Sequence, residues 1–267
     1  MKKTIAVIQL DISRDKQDNL VHAEELIRIA ATQATLVVLP EMFNCPYNAK
    51  TFHKYAEVEF AETTKWMAKL SETLGITLIG GSIPELEDEK MYNTSYTYSN
   101  GKLIGKHRKM HLFDVDIKGG ITFKESSVLS PGEKVTMFDI EGLKIGIAIC
   151  YDMRFPELMR AMVDKGAEVI VVPAAFNTTT GPAHWHITAR ARAVDNQVYF
   201  VVASPARSSY LSYKAYGHSI VVNPWGEILS EANESEEIIY AEIDTEYIKK
   251  VRAELPLLQH RKTNLYS

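Results

Sequence analysis

Ile145-Gly146-Ile147-Ala148-Ile149-Cys150-Tyr151-Asp152-Met153-Arg154-Phe155-Pro156-Glu157-Leu158 joins two kinds of local structure. The apolar run 145–149 is rich in β-branched residues and too short for a typical helix, so it reads as a buried strand. The residues after it read as a helix start, with Asp152 able to cap and Pro156 and Glu157 suited to a first turn. Cys150 therefore falls between a strand end and a helix N-terminus. Free backbone N–H groups and the positive end of a helix dipole would favour a thiolate there, and thiolate is the nucleophile. The same N–H groups can receive an oxyanion. A free cysteine is also commonly a buried structural residue, and position alone does not separate the two readings.

Strand-like and helix-like segments alternate on both sides of this stretch. Strands are expected at 5–10, 35–39, 77–80, 95–98, 144–149, 169–172, 199–203, 218–222 and 238–242. Helices are expected at 17–32, 61–74, 155–165 and 184–196. In the first helix Leu20, Ala23, Ile27 and Ala30 fall close to helical spacing. Ile5–Asp11 resembles Gly146–Asp152, and Val37–Asn44 resembles Ile170–Asn177. Each half thus runs strand, helix, strand, proline, loop. Two similar sheets face to face with helices outside would bury both inner faces. Pro40 stops its strand abruptly, so Glu41 emerges at a strand end, where loops of α/β proteins carry chemistry.

The chain has 267 residues, 46% hydrophobic and 24% charged, an ordinary globular balance with no linker or low-complexity stretch. A net charge of -4 argues against a general nucleic-acid binder. Two cysteines, Cys45 and Cys150, are too few for a disulfide framework. Asp11 and Arg14 interrupt the first apolar run, so no signal peptide is expected, and the run 169–176 is too short to span a bilayer. A cytoplasmic protein is expected.

Three segments stand out together: Leu39-Pro40-Glu41-Met42-Phe43, His107-Arg108-Lys109-Met110-His111-Leu112-Phe113-Asp114, and Ile149-Cys150-Tyr151-Asp152. Singly, Glu41 could serve as a cap and Lys109 as part of a solvated basic face. In this order and context they resemble the Glu-Lys-Cys triad of the nitrilase-like carbon–nitrogen hydrolases. The resemblance extends through Phe123-Lys124-Glu125 and Ser130-Pro131-Gly132 and covers nearly the whole chain. It implies a four-layer αββα sandwich, one domain over 1–267, no cofactor and no metal, and a homodimer contacting through the helix after Cys150 and the C-terminal segment. Segments 173–177, 179–185, 192–197, 203–207, 217–219 and 222–226 are similar to the ω-amidase branch. That similarity implies hydrolysis of the terminal amide of 2-oxoglutaramate and 2-oxosuccinamate. His186 departs from it, because an acidic residue is expected after Trp185.

An amide is a poor electrophile with a poor leaving group. A thiolate attacks well, but the departing amine needs a proton. Glu41, its pKa raised by burial, suits the shuttle from Cys150 to ammonia and then the activation of water. Lys109 and the Tyr151 backbone N–H suit the oxyanion. The resemblance assigns Glu125 to positioning Lys109 or the substrate, and Phe176, Thr180 and Tyr47 to the pocket. Arg154, four residues after Cys150, should lie one helical turn on, where its planar fork would suit a substrate carboxylate; a helix-face ion pair is the competing role. Phe176 is as readily core packing. His107 and His111 have the i, i+4 spacing of helical zinc sites, but no glutamate follows His107 as in the metalloprotease motif. His184 and His186 stand two apart and would not face one ligand on a helix. Cys45, before Pro46, reads as a structural thiol. Rival readings are another amidase of the family acting on deaminated glutathione or a carbamoyl compound, a non-catalytic binding member of the fold, and a metal hydrolase using His107 and His111.

Overall fold

Along β1 (Lys2–Gln9), Ile5 and Val7 turn to one face while Ala6 and Ile8 turn to the other. The same two-residue alternation recurs in every central strand and sets the layering. The computed structural model describes residues 1–265. Residues 266–267, the end of the C-terminal segment expected at a dimer contact, lie outside them. After β1 come α1 (Lys16–Ala30), β2 (Leu36–Val38), α2 (Glu62–Leu74), β3 (Thr77–Ile79), β4 (Ile83–Glu87), β5 (Lys90–Ser99) and β6 (Lys102–Arg108). The middle of the chain forms β7 (Asp114–Asp116), β8 (Thr122–Lys124), β9 (Thr136–Ile140), β10 (Leu143–Ile147), α3 (Pro156–Asp164) and β11 (Val169–Pro173). The rest forms α4 (Gly181–Asn196), β12 (Tyr199–Ala203), β13 (Ile220–Val222), β14 (Ile228–Glu231), β15 (Glu237–Asp244) and α5 (Thr245–Glu254).

One sheet runs β15-β1-β2-β3-β5-β4 with β6 also on β5, and the other runs β14-β13-β12-β11-β10-β9. Ile5, Val7, Leu36 and Val38 meet Ile145, Ile147, Val169 and Val171 in a core between the two sheets. The outer face of the first sheet packs on α1 and α2 through Leu20, Ala23, Ile27, Met67 and Leu70. The outer face of the second packs on α3 and α4 through Met159, Met162, Trp185 and Ala189. These layers make the αββα sandwich. Each fully buried aliphatic side chain of this kind contributes roughly 1.5–3 kcal/mol.

Helix 17–32 begins one residue earlier, at Lys16, because the Asp15 side chain accepts from the Gln17 and Asp18 N–H groups. The four residues expected on its inner face are all buried. Strand 95–98 is the middle of the ten-residue β5, and strand 218–222 shortens to β13 because His218 stands at φ +59°. β4, β6, β7, β8, β9, β14 and α5 were not expected. β6 lacks apolar alternation, since Lys106 and Arg108 are held by Glu85 instead. α5 buries only Thr245, Ile248 and Val251.

The internal repeat is real but shifted by one residue. Ala6 pairs with Val37 and Gly146 pairs with Ile170, so Ile5 corresponds to Ile145, not to Gly146. A one-residue slip in a strand exchanges its two faces, and only this register places both apolar sets in the shared core. Cys150 therefore corresponds to Leu10, and Glu41 to Ala174. At the exit of β3, Gly81 (φ +50°) lies so close to the Pro40 turn that a Cβ there would stand 1.9 Å from the Pro40 carbonyl oxygen. This close approach fixes the turn that presents Glu41.

Candidate active site

No α-helix begins at Cys150. A 3-10 turn covers Cys150–Arg154, and α3 starts at Pro156 with no side-chain cap. Cys150 itself has φ +48°, a left-handed conformation that costs a non-glycine residue about 1–3 kcal/mol and turns the chain sharply out of β10. The turn is held by Asp152, which does not cap α3. Its carboxylate accepts from the Ile149 N–H at 3.0 Å and the His111 N–H at 2.8 Å. It also binds His111 Nδ1 at 2.7 Å and His107 Nε2 at 3.2 Å. Burial pushes the Asp152 carboxyl up, but the hydrogen bonds from His107 and His111 outweigh this and hold it well below the ordinary aspartate value. The two histidines with zinc-like spacing thus sit on β6 and just after it, not on a helix, and tie the Lys109 segment to the Cys150 turn.

Lys109 follows β6 directly and is fully buried. Its Nζ donates to Glu41 Oε1 at 3.0 Å and to Glu125 Oε1 at 2.9 Å, and lies 3.4 Å from the Tyr47 hydroxyl. Tyr47 Oη donates to Glu125, and the Phe113 N–H donates to Glu125 Oε2 at 2.6 Å. Glu41 is bound on both oxygens: Asn93 Nδ2 donates to Oε1 at 2.8 Å, and the Ala175 N–H donates to Oε2 at 2.8 Å. Tyr47 therefore belongs to the Lys109–Glu125 cluster. Burial pulls Lys109 down, but Glu125 and Glu41 outweigh it and hold its pKa well above the ordinary lysine value. It is a fixed cation. Burial raises Glu41, and Lys109 only partly offsets this.

The Cys150 thiol departs from expectation. Burial, then the Glu41 carboxylate, push its pKa well above the ordinary thiol value, and Lys109 and the Ala175 N–H only partly oppose them. Burial and the neighbouring Glu41 carboxylate thus both favour the protonated thiol at rest. Dipole and free N–H groups do not outweigh desolvation at a buried site. Cys45 is fully buried, and burial raises its thiol too.

A small cavity over Cys150 is lined by Tyr151, Arg154, Phe176 and Thr180, and also by Phe113, Ala175 and Tyr213, but not by Tyr47. Arg154 lies there although the turn is 3-10 rather than α. Its guanidinium carbon stands 4.5 Å from the Phe176 ring centre, Nη1 is 3.2 Å from His184 Nδ1, and its buried Nε has no partner among the described residues. Burial lowers its pKa. Arginine still stays protonated, so among the described residues the cavity holds a cation with no carboxylate paired to it. Tyr151 is the second residue of the 3-10 turn, where the first N–H groups lack intrahelical acceptors. Tyr213, whose hydroxyl donates to the Ala175 carbonyl, lines both this cavity and a roomier one of about 220 Å³ that reaches Glu41 and Tyr47. Asn93 and Tyr213 had no sequence signal, while Phe113 and Ala175 lay inside matched motifs but contribute through backbone N–H groups that side-chain identity does not reveal.

Residues 4–253 match the sequence family described as carbon-nitrogen hydrolase. The chain belongs to the carbon–nitrogen hydrolase family. It is an enzyme of that family, acting on small-molecule amides. It is 49% identical over 265 residues to omega-amidase NIT2 of Homo sapiens, covering 98% of this chain and 96% of that one. It is 51% identical over 277 residues to omega-amidase NIT3 of Saccharomyces cerevisiae, covering 100% and 95%. The crystal structure of Saccharomyces cerevisiae Nit3, a member of the nitrilase superfamily, superposes with a TM-score of 0.90 at 48% identity, covering 98% of this chain and 97% of that one. Among the described residues no helix is long and apolar enough to cross a membrane.

Proposed function

We propose that this single-domain hydrolase is an ω-amidase that releases ammonia from the terminal amide of 2-oxo dicarboxylic acid monoamides such as 2-oxoglutaramate and 2-oxosuccinamate. The observation that carries this reading is Arg154, a cation with an unpaired buried Nε in the cavity beside Cys150. A substrate carboxylate supplies the missing anion, and a planar fork matches it. The omega-amidase names of relatives at about half identity support the same substrate class.

Cys150 Sγ attacks the amide carbonyl carbon while its proton passes to Glu41. Lys109 Nζ and the Tyr151 N–H hold the tetrahedral oxyanion, each such donor being worth about 3–4 kcal/mol of barrier. Collapse breaks the C–N bond, and the proton on Glu41 leaves with ammonia. Glu41 then takes a proton from water as its oxygen attacks the thioester. The second collapse releases the acid, and the Cys150 sulfur recovers the proton from Glu41. Glu125 and Tyr47 hold Lys109 in place, while Phe176 and Thr180 shape the pocket. Nucleophile, proton shuttle and fixed cation are all side chains, so the reaction needs neither metal nor cofactor, and activity should persist after dialysis against a chelator.

Family resemblance also supports a cytoplasmic homodimer contacting through α3 and the C-terminal segment, which light scattering will read. The deciding assay is ammonia release from 2-oxosuccinamate, 2-oxoglutaramate, glutamine and deaminated glutathione. Higher kcat/KM on the two oxo acids is expected. Faster turnover of deaminated glutathione would favour the sister amidase activity, and no turnover of any amide would favour a binding role.

A further inference from the structure

On the far side of Trp185 from the cavity, three side chains with metal-binding atoms converge that amide hydrolysis does not use. Trp185 meets Phe176 edge-on at 5.1 Å, while its Nε1 donates to the His218 carbonyl oxygen at 2.6 Å. His184 and His186 diverge around it, the first toward Arg154 and the second toward Glu231. His186 comes from α4, His218 from the chain just before β13, and Glu231 from the end of β14. His186 Nε2 is 2.7 Å and His218 Nδ1 is 3.1 Å from the same Glu231 Oε1. The donor atoms of all three lie within 4.8 Å of one another.

We propose that His186, His218 and Glu231 form a binding site for a divalent transition metal, best matched by zinc, that is separate from the amide-cleaving centre. Two imidazole nitrogens and one carboxylate oxygen are a donor set for borderline divalent ions rather than for calcium or magnesium. Tetrahedral zinc, with ligand bonds of about 2.0–2.1 Å, sets neighbouring donors about 3.3 Å apart. The 2.7 and 3.1 Å separations already come within a fraction of an ångström or so of that spacing. The three side chains keep 34%, 23% and 29% of their surface exposed, which leaves room for water at a fourth position.

The site is held before any ion arrives. His218 is fixed in its left-handed conformation by the Trp185 bond and by its own N–H, which donates to the Asn233 carbonyl at 2.9 Å. Its ring lies against Tyr216, 4.4 Å between centres at 30°. Glu231 is placed by its ladder pairing with Ile220. His186 is the position where an acidic residue was expected, and a carboxylate there would set like charges against Glu231. An imidazole completes a ligand set instead. An ion at this point ties α4 to the β13–β14 hairpin and so acts on stability rather than on rate.

The test uses the full chain carrying Cys150→Ala, so that the reactive thiol cannot bind the probe, stripped with chelator and titrated with Zn²⁺ by calorimetry and with Co²⁺ by visible absorption. One equivalent of zinc, a tetrahedral cobalt spectrum, and a melting temperature that climbs with zinc concentration are expected. His186→Ala and Glu231→Gln should each weaken zinc binding by more than about tenfold, the loss that even an outer partner of a ligand produces. Glu231→Gln keeps shape and hydrogen bonding, and should melt near the parent when zinc is absent. Absence of saturable binding overturns the proposal, as does equal affinity in parent and variants. Variants that lower the melting temperature while zinc has no effect on the parent would reduce the cluster to a hydrogen-bonded His–Glu–His contact and also overturn it.

Discussion

The two halves of the molecule repeat one design and put it to opposite uses. Where β10 ends in Cys150, the matching strand β1 ends in Leu10, fully buried against α1 and α2. Where β2 leads through Pro40 to Glu41, β11 leads through Pro173 to Ala174, whose N–H merely continues the sheet by donating to the Ala203 carbonyl at 2.8 Å. Neither half alone holds both Glu41, the proton-shuttling acid, and Cys150, the nucleophile. The site exists because the sheets pack face to face and bring the acid of one half against the thiol of the other. Even then the join is made by backbone: the Ala175 N–H of the second half binds Glu41 of the first. Equivalent positions in a repeat are thus free to diverge, one set toward packing and the other toward chemistry.

The largest effect should come from breaking this asymmetry on its reactive side. Cys150→Ala is expected to lower kcat by about 10,000-fold or more with an unchanged fold, while Leu10→Ala should leave kcat near normal and cost about 2–5 kcal/mol of stability. Steady-state kinetics and urea denaturation of both variants decide it. Iodoacetamide should label Cys150 ahead of Cys45; activity surviving full Cys150 labelling would break the assignment. Next comes Glu41→Gln, which keeps shape but cannot take the thiol proton. Loss of about 100- to 10,000-fold in kcat is expected, with slower alkylation of Cys150, measured by mass spectrometry over time.

Arg154 sharpens the comparison within the second half, where the turn carries both chemistry and recognition. Arg154→Ala should cost roughly 1.5–3 kcal/mol, about 10- to 150-fold in kcat/KM on 2-oxosuccinamate, and much less on a neutral short amide. Arg154→Lys should be impaired too, because a point charge cannot reproduce the fork. Equal losses on both substrates would make Arg154 a structural residue. The smallest effect is on stability against pH. Asp152 has a depressed pKa in the fold, so the unfolded chain binds more protons near and below the unfolded value of 3.8. Its stabilisation is present above that pH and is lost as pH falls through the window. The wild type should therefore lose more stability between neutral and acid pH than Asp152→Asn does, read from urea midpoints at each pH. Parallel curves would remove Asp152 as the acid-sensitive tie.

Much of the sandwich was legible because burial on alternate residues leaves a mark that needs no partner to be seen. Ile5, Val7, Leu36 and Val38 announce an inner face, and Leu20, Ala23, Ile27 and Ala30 announce a helix that covers the outer one. β6 was hidden because its long side chains meet Glu85, and a strand stabilised by ion pairs reads as a solvated basic run. Glu41 and Cys150 were legible as residue types at strand ends, whereas Lys109 and Glu125 stood out only through the family resemblance. Their mutual distances were not legible, because Asn93, Ala175 and Asp152 position them through contacts across the sheets or between distant loops.

Sequence by itself determined the layers, the strand ends and the kinds of group placed there, since these follow from local periodicity and chain-breaking residues. Tertiary structure alone decided that the thiol rests protonated, that Lys109 stays charged between two carboxylates, that the histidines of 107 and 111 serve Asp152, and that His186 finds His218 and Glu231. The physical reason is that desolvation and Coulomb interactions depend on distance through space, which residue spacing along the chain does not fix.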